Sequence, residues 1–272
     1  MTRTISSRNC RRVEEMKMKK RAIARAAALA AGLAVASFGA SANKAVVPAS
    51  HVILVHGAWA DGSSWSKVIP LLTAKGLDVT AVQLPLTSLA DDAATVKRAI
   101  ALESGPVVLV GHSYGGAVIT EAGNDEKVSA LVYVAAFAPD KGQSAGSLSA
   151  SVQPPPMAAE VRPDPNGFLK LTQKGIFEDF AQDVSAREKG VLFAAQAPTS
   201  VKSLGGNITE AAWHQKPSWY IVAGNDRAIP PTLEATMAKT IGATTKTIQA
   251  SHVVMLSHPD EVAATILQAA GK

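Results

Sequence analysis

Hydrophobic positions in this chain fall into short unbroken runs, separated by stretches in which apolar residues recur every three or four positions. The runs are His51–Val55, Val107–Val110, Val128–Ala135 and Trp219–Ala223; Asp78–Leu84 and Thr245–Gln249, with polar residues interspersed, read as two further strands. A strand covered on both faces meets water on neither side, so it reads as a continuous apolar run. The intervening stretches have helical spacing. Ser64–Ala74 places Trp65, Val68, Ile69 and Leu72 on one face and stops at Gly76. Asp91–Glu103 and Pro231–Ile241 follow the same rule, and a last helix starts at Pro259 with Asp260 and Glu261 in its first turn. Strand alternating with helix predicts an α/β domain: a mostly parallel sheet of about six strands with helices on both faces.

The rhythm fails between residues 139 and about 215. Residues 142–167 are rich in Ser, Pro and Gly. Phe168–Ala195 then reads as helical, with Phe168, Leu171, Ile176, Phe177, Phe180, Val184, Val191, Leu192 and Phe193 supplying apolar faces. A disordered loop has no use for that many aromatic and aliphatic side chains. The expectation is a helical lid inserted into the core over about 140–215.

Composition changes the picture at the N-terminus. Lys17, Lys19, Lys20, Arg21 and Arg25 precede an apolar run from Ala26 to about Phe38, and Ala40-Ser41-Ala42 follows. A basic segment, a short apolar core and a small-x-small site predict a secretory signal peptide cleaved after Ala42. Residues 1–15 read as an extension upstream of a start at Met16 or Met18. The apolar run is shorter than the roughly 20 residues needed to cross a bilayer, so no stable membrane anchor is expected. The first 42 residues hold 9 of the 27 Lys and Arg and 2 of the 22 Asp and Glu. The remainder has 18 basic and 20 acidic residues, a net charge of −2. The basic balance therefore belongs to the leader and points to no nucleic-acid partner. Cys10 lies there too, which leaves residues 43–272 without disulfides, thiolate chemistry or cysteine-bound metal.

Candidate chemistry centres on Val107-Val-Leu-Val-Gly-His-Ser113-Tyr-Gly-Gly-Ala-Val118. An apolar strand runs into G-x-S-x-G and then into an Ala- and Gly-rich helix start. This is the layout of a nucleophile elbow, in which a sharp turn lifts a serine hydroxyl above the end of a sheet. Serine attack on a carbonyl needs a base, and the base needs a carboxylate to hold its tautomer. His252, after the last strand, is the candidate base. Asp226, after Trp219–Ala223, is the candidate acid, with Asp140, after the fourth strand, as its rival. The backbone N–H groups of Tyr114 and of the loop after the first strand, with Ala58 the best choice, form the candidate oxyanion hole. The other histidines read as structural. His112 orients the elbow or packs beneath it, His56 buttresses the oxyanion loop, His258 caps the last helix, and His51 opens a strand. His214 lies on the lid's return, where it is a possible pocket residue. Their spacing resembles no metal site, and the chemistry calls for no cofactor.

Five stretches together carry a resemblance: H-G-A-W at 56–59, G-H-S-Y-G-G at 111–116, V-A-A-F-A-P-D at 134–140, G-N-D-R-A-I-P at 224–230 and A-S-H-V-V-M-L at 250–256. The chain resembles the α/β-hydrolases of the branch that holds plant methyl-ester esterases, hydroxynitrile lyases and related bacterial esterase-like proteins. That resemblance implies an α/β-hydrolase fold, Ser113, Asp226 and His252 as a catalytic triad, and Ala58 and Tyr114 as oxyanion donors. It favours Asp226 over Asp140. Lyases of the branch place a threonine at the position of Gly57 and a lysine just after the catalytic histidine, where this chain has Val253. The expectation is an exported serine hydrolase, periplasmic or secreted, acting on a small carboxylic ester. Its alternatives are lyase-like or other cofactor-free chemistry on the same triad, or a non-catalytic ligand-binding protein.

Overall fold

The computed structural model describes residues 47–272; the predicted leader and its cleavage site lie outside them. Six strands form one parallel sheet: β1 (His51–Val55), β2 (Asp78–Ala81), β3 (Val107–His112), β4 (Val128–Val134), β8 (Ser218–Ala223) and β9 (Thr244–Ile248), in the order β2-β1-β3-β4-β8-β9. All six residues of β3 and of β8 are buried, as expected for strands covered on both faces. His51 pairs with Val107 and Val55 with Gly111, which brings the ends of β1 and β3 level.

The helices that cover the sheet are α1 (Ile69–Thr73), α2 (Leu89–Leu102) and α3 (Gly115–Ala122) in the first half. The insertion contributes α4 (Ala145–Ala150), α5 (Ala186–Ala195) and α6 (Val201–Gly205). The second half adds α7 (Pro231–Thr240), α8 (Val254–Ser257) and α9 (Pro259–Ala269). No described helix is long and apolar enough to cross a membrane. The helix expected over Ser64–Ala74 divides into a 3₁₀ turn at Gly62–Trp65 and the short α1. Pro70 lies in the first turn of α1, where its missing N–H costs nothing; further into a continuous helix its ring would clash with the carbonyl four residues back. Strand β2 stops at Ala81, short of the predicted Leu84. Past it the backbone turns to side chains, with Leu84 N–H donating to His56 Nε2 at 3.0 Å and Gln83 Oε1 accepting Gly62 N–H at 3.1 Å.

The insertion differs most from expectation. Phe168–Ala195 is not one helix. Phe168–Leu171 is a strand, β6, paired antiparallel with β5 (Val161–Pro163) and with β7 (Thr199–Ser200). A π-helical turn at Gly175–Phe180 and then α5 follow. The decisive local signal is Asp164-Pro-Asn-Gly167. Asp164 Oδ1 accepts the N–H groups of Asn166 and Phe168, and Gly167 takes φ +81°, which closes a hairpin rather than opening a helix. Helix α5 has no fully buried residue: Val191 and Phe193 are exposed and Leu192 packs only partly against the core, so no continuous core-facing stripe forms.

Candidate active site

Sheet order locates the site before any side chain does. From β1 the chain goes outward to β2 and then returns to the other side of β1 as β3. Loops leaving β1 and β3 therefore diverge at their C-terminal ends and open a crevice there, the usual ligand position in open α/β sheets. Ala58 follows β1 and Ser113 follows β3.

Ser113 sits at φ +54°, in the left-handed region that a serine occupies only when its surroundings hold it there, at a cost of roughly 1–3 kcal/mol. Close packing explains the glycine before the turn: a Cβ on Gly111 would lie 2.5 Å from the Gly115 carbonyl oxygen. Strand and helix can pass that closely only without a side chain. The elbow leads into α3, and a helix N-terminus leaves N–H groups available to negative charge.

His252 Nδ1 lies 2.5 Å from Asp226 Oδ2, and the two side chains are 1 % and 0 % exposed. Asp226 Oδ1 accepts the N–H groups of Ala228 at 2.6 Å and Ile229 at 3.0 Å. The carboxylate thus has charge-compensating donors on both oxygens, which is what a buried anion requires. Since Nδ1 of His252 is taken by Asp226, Nε2 is the nitrogen left for another partner. Ser113 and His252 line one cavity of about 550 Å³ together with Ala58 and Tyr114. Neither the Ala58 nor the Tyr114 N–H donates to a protein acceptor among the described residues. Apart from these, the cavity walls are mostly apolar (Trp59, Phe137, Val152, Met157, Leu204 and Ile229), and no Asp, Glu, Lys or Arg lines it. A cavity of about 630 Å³ at the opposite ends of the strands, beside Lys127 and Pro217, contains none of the predicted site residues.

The structure separates Asp140 from this constellation. Its carboxylate pairs with His214 Nε2 at 2.9 Å on the surface, and both side chains are more than two-fifths exposed. His214 accordingly lines no part of the cavity that holds Ser113. His56 props the loop after β1 as expected: Nε2 accepts the Leu84 N–H, so Nδ1 carries the proton and donates to the Gly57 carbonyl at 2.8 Å. Burial holds its pKa below the ordinary imidazole range. His112 is fully buried under the elbow, and its Nε2–H donates to the His252 carbonyl at 3.0 Å. Burial and the neighbouring His252 push its pKa well down, so it is a neutral donor that anchors the backbone of His252. His258 occupies the N-cap position of α9, but its side chain does not cap; Nδ1 meets Ser257 Oγ instead.

Several contacts around the site leave no motif. Tyr114 hydroxyl donates to Asp92 Oδ2 at 2.7 Å, and Asp92 also accepts the Leu86 N–H and the Ser203 hydroxyl. This ties Tyr114, whose N–H is a candidate oxyanion donor, to α2 and α6. The π-helical turn and the residues after it grip both loops of the acid–base pair. Phe180 packs against the His252 ring at 5.0 Å, and Asp179 takes Arg227 Nε at 2.7 Å. Gln182 donates to the Asn225 carbonyl, and Asp183 accepts the Ser251 N–H, each at 2.7 Å. π-Turns are frequent at functional sites, but contacts between residues this far apart in sequence carry no local pattern. The insertion's share of the cavity wall comes from Ala145–Ala158, its Ser- and Pro-rich part, and from Leu204, rather than from the Phe168–Ala195 stretch with its many apolar residues. Among the described residues no three His, Cys, Asp or Glu side chains are grouped to hold a metal ion.

A parallel sheet with a serine at the β3 elbow and a buried acid–base pair after β8 and β9 is the arrangement of an α/β-hydrolase. The sequence pattern of the alpha/beta hydrolase family matches residues 52–265, and the chain belongs to that family. Among curated proteins it is similar to Methylesterase 8 of Arabidopsis thaliana, with 30% identity over 204 residues that cover 66% of this chain and 73% of that protein. Salicylic acid-binding protein 2 of Nicotiana tabacum shares 29% identity over 259 residues, covering 82% and 97% of the two chains. Among solved structures, a pyrethroid hydrolase from Sphingobium faniae superposes with a TM-score of 0.73 at 25% identity, covering 82% of this chain and 97% of that one.

Proposed function

We propose that this protein is an exported serine hydrolase that cleaves uncharged carboxylic esters through Ser113, His252 and Asp226. One observation carries the reading. Ser113, on a strained elbow, shares a cavity with His252, whose far nitrogen is held at 2.5 Å by the buried Asp226. In this scheme Nε2 of His252 takes the Ser113 proton as Oγ attacks the ester carbonyl. The oxyanion that forms is met by the Ala58 and Tyr114 N–H groups, each worth about 3–4 kcal/mol at the transition state. His252 then protonates the departing alkoxide and the C–O bond to the alcohol breaks, leaving an acyl-Ser113. Water, deprotonated by the same nitrogen, attacks the acyl carbon and releases the acid and free serine. No step calls for a metal or cofactor. The apolar, uncharged wall supports a neutral substrate with an apolar acyl or alcohol group. Esterase names among the relatives support the reaction class. Export rests on the basic and apolar pattern of residues 17–42.

Lyase-like chemistry is the second reading, and Gly57 speaks against it. A Cβ at that position would lie 2.6 Å from Ser113 Cβ, so a hydroxyl-bearing side chain there would displace the nucleophile. Val253, buried after His252, supplies no cation for a departing anion. The test is hydrolysis of a p-nitrophenyl ester series from acetyl to long chains, run beside Ser113→Ala. Loss of roughly three or more orders of magnitude in the variant, with fluorophosphonate labelling of the wild type alone, supports the reading. Equal weak rates in both proteins, or cyanohydrin cleavage without ester hydrolysis, sinks it.

A further inference from the structure

One buried ionisable group takes no part in the scheme above. Glu234, on α7, is 0 % exposed, and its Oε2 accepts the Ala223 N–H at 2.9 Å. Its Oε1 is buried and meets no N–H or hydroxyl donor, and the carboxyl lies beside the Asp226 side chain. Two carboxylates side by side out of water are not both ionised, so one of them holds a proton. The donors around each decide which. Asp226 receives three: the N–H groups of Ala228 and Ile229 on Oδ1, and His252 Nδ1 on Oδ2. Glu234 receives one. The negative charge therefore settles on Asp226, and burial with that charge alongside raises the Glu234 pKa well above the usual carboxylate range.

We propose that Glu234 is a positioning residue, a neutral carboxylic acid whose Oε1–H donates to the Asp226 carboxylate and holds it in the orientation that receives His252. The inference rests on the Ser113–His252–Asp226 reading. The proton stays on Glu234 throughout the cycle. Its hydrogen bond restrains rotation of the Asp226 carboxylate and draws off part of its charge, which limits how strongly Asp226 stabilises the imidazolium form of His252. The surrounding ionisable groups leave this balance to the pair. Tyr220, from β8, gives its hydroxyl to the Ala136 carbonyl. Arg227, next to Asp226 in sequence, turns its guanidinium to Asp179. His112, on the far side of His252, is neutral.

Two measurements on the full chain test this. Infrared difference spectra of wild type against Glu234→Gln at neutral pH should show the C=O stretch of a protonated carboxylic acid, present in the wild type and lost in the variant. In ester hydrolysis, Glu234→Met has similar length and no donor. It is expected to lose about 10- to 100-fold in kcat with KM little changed, and its acidic limb of kcat/KM should move to higher pH because Asp226 then holds the imidazolium more strongly. Glu234→Gln, whose amide N–H replaces the O–H, should recover most of that loss. The proposal is overturned if the protonated band is missing from the wild type, if Glu234→Met matches wild type in rate and pH profile, or if Gln is as damaging as Met at wild-type Tm. Should Glu234→Met fail to fold, the spectrum and the Gln variant still decide. The spectrum reads the resting protein, so it remains informative even if Ser113→Ala hydrolyses esters at the wild-type rate, an outcome that removes the serine reading instead.

Discussion

Two Asp–His pairs among the described residues meet within 3 Å, and their chemistry is the same while their surroundings are opposite. Asp226 and His252 meet at 2.5 Å beyond β8 and β9 with side chains 0 % and 1 % exposed; Asp140 and His214 meet at 2.9 Å with side chains 41% and 56% exposed. At the surface, water and salt screen the attraction, and holding two side chains in one geometry offsets most of what remains. In the interior the same contact is enforced by the backbone donors on Asp226, by His112 under the His252 carbonyl, and by Phe180 against its ring. Distance alone hardly distinguishes the two pairs. Desolvation and enforced geometry do, and in the proposed mechanism these fit His252, and not His214, to act as a base of fixed tautomer.

The contrast can be broken most severely at Asp226. Asp226→Asn should keep the fold and lower kcat by about 10⁴-fold, because the amide no longer holds the His252 tautomer; kcat/KM on the best p-nitrophenyl ester measures it. The next effect is on acid stability. His112 and His56 are held below the ordinary imidazole range by burial, so below about pH 6.5 the unfolded chain binds more protons than the folded one. Their stabilisation is complete above that pH and is lost as the pH falls through it. Calorimetry should show Tm dropping over that window, and His112→Gln, which keeps a donor but does not titrate there, should show a shallower drop.

Asp183→Ala removes the acceptor from the buried Ser251 N–H beside the base. It should cost about 1–3 kcal/mol, read as a lower Tm, with kcat falling more than KM changes. The smallest effect belongs to the surface pair. Asp140→Asn should change stability by no more than about 0.5 kcal/mol and leave ester hydrolysis within about twofold of wild type. A large kinetic loss at Asp140 would make the two pairs equivalent and undo the comparison.

The four central strands and the elbow were legible from local sequence because each is encoded within a few residues: a largely apolar run, a Gly that admits close packing, a serine beside it. Ser113 and Asp226 could be named because each stands just after such a run, and His252 because it stands just after the last predicted strand. That much the amino-acid sequence determined by itself. Which aspartate meets His252 was decided by strand order, since β8 and β9 are neighbours while Asp140 faces His214 on the insertion's return. The insertion, too, was decided in three dimensions. Its 3–4 spacing suggested one long helix over Phe168–Ala195, but a hairpin at Asp164–Gly167 and pairing with Thr199–Ser200 made the first part a strand. Apolar spacing reports only that a segment has something to bury; what it buries against depends on partners up to dozens of residues away. The same holds for Glu234, an unremarked acid in a helix of ordinary composition. Only the packing of α7 on β8 removes it from water and sets it beside Asp226, and so gives its proton a role.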